Sequence, residues 1–475
     1  EQLRTRKMVV QLQHGPVNAE GSGDSCWPLN RERLGQLLRE ADGLLPNSWL
    51  ELQSLRSDLQ WDGDCFEVAH YGVDPSLFLD ADPEPFRQHT GLSGTFVMQA
   101  GRIEPGKNKI WVSSGSTDFG LGKNPGDPYL YDGVSAYDGS FWTNYVNFNT
   151  DVFNPMFDIV VAREHPFRSE VWAGSFFGAS RFLHSNDQHF DSNNSTLLAK
   201  ENDPSFQIVS DLDFDNSGRV WMTNLGSQNP LVVLDNDGTW YGFDPANAPL
   251  FVTRMEIDGA GNIWMATTND GLWVYNRGNL LSSESDDPPA LHFTASNSEL
   301  QSNTINDLTL DRNGALWVGT AQGIVIIDCP SSVFTSNFSC SQPRRVIVTL
   351  GDYSEYLFNT EVVQAIAVDG GNRKWVGTTN GVTLVSASGE QELLQLNTEN
   401  SPLPSNTIFD IGILGSTGDV FFATDLGLAS FIGEASDGAQ EHSNVQVYPN
   451  PVEADYNGPI SVIGLVTDAY IKVMD

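Results

Sequence analysis

Apolar and polar side chains alternate along this chain in short runs, and the runs are separated by clusters of Asp, Asn and Gly. Asn303-Thr-Ile-Asn-Asp-Leu-Thr-Leu310 shows the period-two pattern of a strand with one face packed. Asp311-Arg-Asn-Gly314 then predicts a tight turn, because Asp bonds its own backbone and Gly accepts a positive φ. Leu316-Trp-Val318 opens a second strand that ends at the small pair Gly319-Thr320, and Gly323 turns the chain into the apolar strand Ile324-Val-Ile-Ile327. This pattern predicts an antiparallel sheet built from consecutive hairpins.

The same unit recurs. Clear copies are Asp258-Gly-Ala-Gly-Asn-Ile-Trp264-Met-Ala-Thr267 and Asp369-Gly-Gly-Asn-Arg-Lys-Trp375-Val-Gly-Thr378, and weaker ones centre on Trp111, Trp172, Trp221 and Phe421. Successive centres lie 61, 49, 43, 53, 58 and 46 residues apart, the spacing of a four-stranded propeller blade plus a variable loop. The fold class is therefore all-β: a seven-bladed β-propeller over 85–433, with the recurring indole wedged between neighbouring blades. The last repeat lacks an outermost strand. Pro85-Phe-Arg-Gln-His-Thr90 has the character of outer strands elsewhere, so residues near Phe86 are expected to pair with the seventh blade and latch the ring, leading into Gly94–Met98 as an inner strand.

The flanks differ from the ring. Residues 1–84 form a segment of uncertain structure, in which Leu29–Leu45 has the spacing of an amphipathic helix. A polar linker spans 434–444. Beyond it Val445–Val452, Ile460–Ile463 and Ala469–Val473 read as three short strands, the start of a truncated β-sandwich-like C-terminal domain over 445–475. The start at Glu1-Gln-Leu, with no initiating Met, predicts a fragment or a processed chain.

Charge narrows the partners. Lys and Arg number 25 against 61 Asp and Glu, a net charge of −36, which argues against nucleic acid and against simple attachment to anionic lipid. Residues 1–60 are nearly balanced, so the acid belongs to the remainder. No run of 18 apolar residues predicts a membrane-spanning helix. Of the four cysteines, Cys329 and Cys340 flank an excursion in the fifth blade; a staple and free thiols both remain open.

Catalytic motifs are sparse. Gly101-Arg-Ile-Glu-Pro-Gly106-Lys107 has phosphate-loop spacing, but Asn108 stands where Ser or Thr would hold magnesium. The eight histidines are scattered, with His184 and His189 the closest pair inside the propeller and His165 some way before them; surface or loop positions are expected for them, and neither cofactor nor metal is expected. The Asp-x-x-Gly-x-x-Trp element is similar to the Asp-box of sialidases, whose arginines converge on a carboxylate; here Arg254 is the one arginine placed on an inner strand, so no enzyme activity is expected.

Ligand recognition would fall to the loops joining second and third strands. The first blade offers Asp118, Phe119, Tyr129 and Tyr131; equivalent loops carry Phe176 and Phe177, Asn224 and Asn229, Asn269 and Asp270, Gln322 and Asn380. Aromatic rings beside amides and acids are what sugar or peptide recognition uses.

The repeat Asn-Thr-Ile…Asp-x-x-Gly-x-Leu-Trp-Val-Gly-Thr-x-x-Gly resembles the two-component-regulator propeller repeat of periplasmic sensor regions in Bacteroidetes. Val447-Tyr-Pro-Asn-Pro-Val452 resembles the opening of the domain that marks cargo of the type IX secretion system. Together with Leu130-Tyr-Asp-Gly-Val-Ser-Ala-Tyr-Asp-Gly-Ser-Phe-Trp142, these motifs resemble a surface-component family of that machinery, built of two propellers and a tail. The resemblance implies a non-enzymatic role beside other type IX proteins, including the sortase. It also implies delivery of anionic lipopolysaccharide, peripheral to the outer membrane at the cell surface or in the periplasm. The alternative it implies is a periplasmic glycan sensor of a hybrid two-component regulator.

Overall fold

The computed structural model describes residues 3–4, 102–106, 109–113, 134–139, 142–145, 159–183, 187–246, 250–278, 280–282, 287–335, 338–350, 353–437, 446–448 and 461–463. Seven four-stranded sheets stand in a ring. Their inner strands are Arg102–Pro105, Ile159–Glu164, Leu212–Phe214, Val252–Ile257, Ile305–Leu310, Val363–Val368 and Ile408–Leu414. In blades one to six the four strands follow one another in chain order, each antiparallel to the last. No described helix is long and apolar enough to cross a membrane.

The turn chemistry of the repeat works as its residues require. Asp258 Oδ1 accepts the backbone N–H groups of Ala260 at 2.9 Å and Asn262 at 3.1 Å, while Oδ2 accepts the indole N–H of Trp264 at 3.0 Å. Asp215 and Asp311 serve Trp221 and Trp317 in the same way, at 3.0 and 3.3 Å. One carboxylate thus closes the first hairpin and fixes the wedge six residues on. Blade six departs from this: Arg373 donates to Asp369 Oδ2 at 2.7 Å, and the indole N–H of Trp375 has no hydrogen-bond partner.

The wedges make the ring. Each apolar cluster joins one blade to the next and holds one repeat aromatic. Trp111 packs with Ile159 and Ala173, Trp172 with Ile208 and Leu212, Trp221 with Val252 and Met255, and Trp264 with Ile305 and Leu316. Trp317 packs with Val363 and Val376, and Trp375 with Ile408 and Phe422. Phe421 closes the circle against Ile103, Ile110 and Val112 of blade one. A buried lysine reinforces the fifth junction. Lys374, on blade six, donates to Asp311 Oδ2 at 2.8 Å and to the Ala387 carbonyl at 2.7 Å, and its ammonium lies 4.5 Å from the Trp317 ring centre.

Two expectations are corrected. The outer edge of blade seven is taken by Leu3–Arg4, with Leu3 opposite Phe431 and Arg4 opposite Ser430. The predicted latch at 85–90 lies outside the described residues, and that edge is already occupied. Edge pairing is carried by backbone groups, so local likeness to an outer strand could not select between two upstream segments. The innermost strand of blade one is Arg102–Pro105 rather than Gly94–Met98, because a strand lining a polar channel does not read as an apolar run.

Cys329 and Cys340 are bonded, with Cα atoms 5.5 Å apart. After the ring, Gln446–Tyr448 pairs antiparallel with Ser461–Ile463, and the third predicted strand at Ala469–Val473 lies outside the described residues.

Candidate functional site: the channel and the Asp-turn face

Five inner strands begin with a register shift against their neighbour, at Ile159/Val161, Val252/Arg254, Ile305/Asp307, Val363/Ala365 and Ile408/Asp410. A bulge of this kind re-aims the following side chain. Arg254, Asp307 and Asp410 follow the shift in their strands and meet at the channel: Arg254 lies 3.6 Å from Asp307 Oδ1 and 3.6 Å from Asp410 Oδ2.

Two more arginines join them. Arg102 contacts Glu104 at 2.5 Å and Asp211 at 3.0 Å; Arg163 contacts Glu104 at 3.2 Å, Asp213 at 3.2 Å and Asp211 at 3.7 Å. Arg254 is therefore not the one inner-strand arginine. Arg102 sits in the segment with phosphate-loop spacing, which hid its strand. All three guanidiniums are occupied by carboxylates of the ring itself.

The carboxylates also staple neighbouring blades through the backbone. Asp211 and Asp213 accept the N–H groups of Met255 at 2.8 Å and Ile257 at 3.0 Å; Asp307 accepts that of Ile366 at 2.7 Å, and Asp410 that of Ile103 at 2.9 Å. The last bond spans the closure between blades seven and one.

Burial dominates their titration. It pushes Glu256 up to about 8, with Asp213 adding, and Asp307 up to about 8, with Asp410 adding. Burial raises Glu104 to about 7 against the pull of Arg102 and Arg163, and Asp410 to about 6 against Arg102. Asp213 is raised as well, by burial opposed by Arg163. The short contacts of Glu104 argue for ionisation and its burial against; burial prevails because the two arginines are shared with Asp211. Protons on Glu256 and Asp307 bring the charge of the cluster nearer to that of its three arginines.

Above this network the channel widens into a cavity of about 600 Å³. Its lining includes the ends of inner strands and the turns that follow them, among them Pro166, Asp311 and Arg312. It opens on the Asp-turn face, opposite the loops singled out from sequence.

Those loops carry separate local roles. Phe176 is 1% exposed, packed edge-on against Phe206 inside a blade junction, and presents no surface to a ligand. Phe177 is half-buried beside the same ring. The buried Asn224 donates to the Leu198 carbonyl at 2.9 Å and accepts the Leu198 N–H at 2.7 Å, pinning the strand connection before it. Asn229 is half-buried. Asp270 takes the indole N–H of Trp273 at 3.0 Å, and Asn380 donates to Glu361 at 3.4 Å. Asn269, Asp270, Gln322 and Asn380 are exposed on three successive blades, and Asp118, Phe119, Tyr129 and Tyr131 lie outside the described residues. His165 is fully engaged: Nδ1 accepts the N–H groups of Phe167 and Arg168, both at 3.1 Å, and Nε2 donates to the Gly218 carbonyl at 3.1 Å. No group of three potential ligands suited to a metal ion occurs among the described residues.

Residues 299–322 match the family described as two component regulator propeller. The sequence matches no curated protein. Among solved structures the chain is similar to PorZ, described as an essential bacterial surface component of the type-IX secretion system of Porphyromonas gingivalis. The identity is 24% and the TM-score 0.64, over 79% of this chain and 52% of that one. It is also similar to the extracellular domain of the hybrid two component system BT3049 from B. thetaiotaomicron, at 14% identity and TM-score 0.47 over 73% and 43%. Virginiamycin B lyase from Staphylococcus aureus follows at 12% identity and TM-score 0.47, over 70% and 94%. The chain spans about half the length of the PorZ structure, and the likeness establishes the propeller fold.

Proposed function

We propose that this chain is a non-enzymatic binding and scaffold component of a type IX secretion machinery at the cell surface, one that helps deliver anionic lipopolysaccharide to the cargo-attaching sortase. The observation that carries the reading is a joint one. A seven-bladed propeller similar to PorZ is followed in the same chain by Val447-Tyr-Pro-Asn-Pro-Val452, which resembles the start of a type IX sorting domain. Three channel arginines do converge, as an Asp-box enzyme would need. Each is held by carboxylates of its own ring, so none of these three is left for a substrate carboxylate, which speaks against Asp-box chemistry.

The acidity of the chain sets a condition on glycolipid binding. Arg344 is taken in two hydrogen bonds by Asp328, at 2.5 and 2.7 Å, and Arg345 stacks 3.5 Å from the Tyr356 ring centre. That pair is no free basic patch. With that pair engaged, bridging divalent cations or a partner protein are the means of contact with an anionic headgroup that this reading adopts. Flotation of the full chain with vesicles carrying anionic lipopolysaccharide, with and without calcium, tests this. Cation-dependent co-flotation is expected. Absence of binding in both conditions, alongside tight binding of a soluble oligosaccharide, would favour the second reading, the glycan-sensing propeller of a hybrid regulator, which the match at 299–322 supports.

A further inference from the structure

The chain leaves the propeller across the mouth of its own cavity. After Phe431 ends the last strand, Gly433–Asp437 runs over the Asp-turns of blades six and seven, and Asp437 becomes part of the cavity lining beside Arg312 and Gly415. Two backbone hydrogen bonds seat the segment: Gly370 N–H donates to the Ala435 carbonyl at 3.3 Å, and Asp437 N–H donates to the Gly415 carbonyl at 2.7 Å. Two ion pairs add to them. Arg312 of blade five, which also donates to the Asp369 carbonyl at 2.7 Å, is paired with Asp437, and Arg373 lies 3.8 Å from Glu434.

The turns beneath are cut to fit. A Cβ on Gly370 would collide with the Ser436 carbonyl oxygen, one on Gly415 with the Asp437 carboxylate, and one on Gly418 with the Ala435 carbonyl. Gly418 has a positive φ that favours glycine on its own account, but Gly370 and Gly415 do not. At Gly370, where the added carbon would meet backbone, the lack of a side chain is explained by the close approach of the segment; at Gly415 it leaves room for the Asp437 carboxylate.

We infer that Gly433–Asp437 is a releasable strap: seated, it narrows the Asp-turn mouth of the channel through the Arg312–Asp437 pair, and lifted, it opens the cavity and frees the chain downstream. The two states are coupled, since whatever enters past Arg312 must displace Asp437. The pair is partly exposed, at 34% and 51% of side-chain area, so it is open to competition from salt and incoming ligands.

Gly370→Ala is the direct test, because its added methyl meets the strap while its backbone conformation suits alanine. Hydrogen exchange on the full chain should show the Asp437 amide protected in the parent protein and at least tenfold faster in Gly370→Ala and in Arg312→Gln, with the Trp264 and Trp317 amides unchanged. Access is read separately by placing a thiol in the cavity lining as Thr309→Cys and following maleimide addition at that position by peptide mass spectrometry. Addition should be several-fold faster when Gly370→Ala is combined with it. An Asp437 amide that exchanges freely in the parent, or a thiol rate indifferent to Gly370→Ala, would overturn the proposal. Arg312→Gln keeps Gly370 but also gives up the bond to the Asp369 carbonyl, so it is the unchanged Trp264 and Trp317 amides in both variants that separate release of the strap from a folding defect.

Discussion

Replacing Asp307 with asparagine should make the propeller more stable at high pH and leave it nearly unchanged at low pH. In the folded protein burial and the neighbouring Asp410 raise Asp307 to about 8, whereas an unfolded aspartate ionises near 3.9. A carboxyl raised in this way contributes fully to stability below the unfolded value and loses that contribution as pH rises toward the folded one. Between pH 6 and 8 the unfolded state has given up its proton and the folded state has not. Each pH unit then costs about 1.4 kcal/mol, less as ionisation begins near 8, or about 2 kcal/mol over the interval. Asparagine mimics the protonated group, since its Oδ1 can still accept the Ile366 N–H that Asp307 accepts at 2.7 Å. Urea unfolding of parent and variant at pH 6, 7 and 8 should therefore show a stability difference that moves in favour of Asp307→Asn by about 2 kcal/mol. A constant penalty at all three pH values would mean that Asp307 is ionised against Arg254, 3.6 Å away, and would refute the argument that burial prevails.

Other expectations follow from the ring itself. Trp264→Ala empties a fully buried junction and takes the indole donor from Asp258 Oδ2, which keeps the Asn262 amide, so it should cost about 3–5 kcal/mol by chemical denaturation. Phe421→Ala should cost a similar ~3–5 kcal/mol if Phe421 closes blade seven on blade one, and much less if the ring is open there. Lys374→Ala leaves Asp311 without its cationic partner in a buried junction and should cost on the order of 3 kcal/mol. Reduction of Cys329–Cys340, which closes a short loop in blade five, should lower stability by roughly 2–3 kcal/mol, read as a shift in the denaturation midpoint on adding a reductant.

The blades were legible because each repeat carries its own turn and wedge: Asp311 and Trp317 are six residues apart and settle one hairpin without help from elsewhere. The closing strand was not legible. Leu3–Arg4 pairs through backbone groups with residues more than 400 positions away, and nothing in two residues encodes that partner. The channel was half legible. Asp307 and Asp410 stand out as acids two residues after the isoleucine that opens each strand, Ile305-Asn-Asp307-Leu and Ile408-Phe-Asp410-Ile, a signal that an inner-strand register would have turned into a ring of inward carboxylates. Arg102 carried no such signal, since its strand has only four residues and ends at Pro105. Of the loop residues singled out for ligand contact, Asn224 shows why composition alone misleads: an amide beside Gly and Ser has the look of a recognition loop, yet its side chain is filled by the backbone of Leu198.

Recovery from an outer-membrane extract of a bacterium with a type IX secretion system, using the full chain as bait and reading proteins and glycolipids together by mass spectrometry, tests the functional account most directly. The account expects anionic lipopolysaccharide to be recovered together with the sortase and other secretion components, in a cation-dependent manner. Recovery of a soluble oligosaccharide alone, or its chemical conversion during incubation, would contradict it.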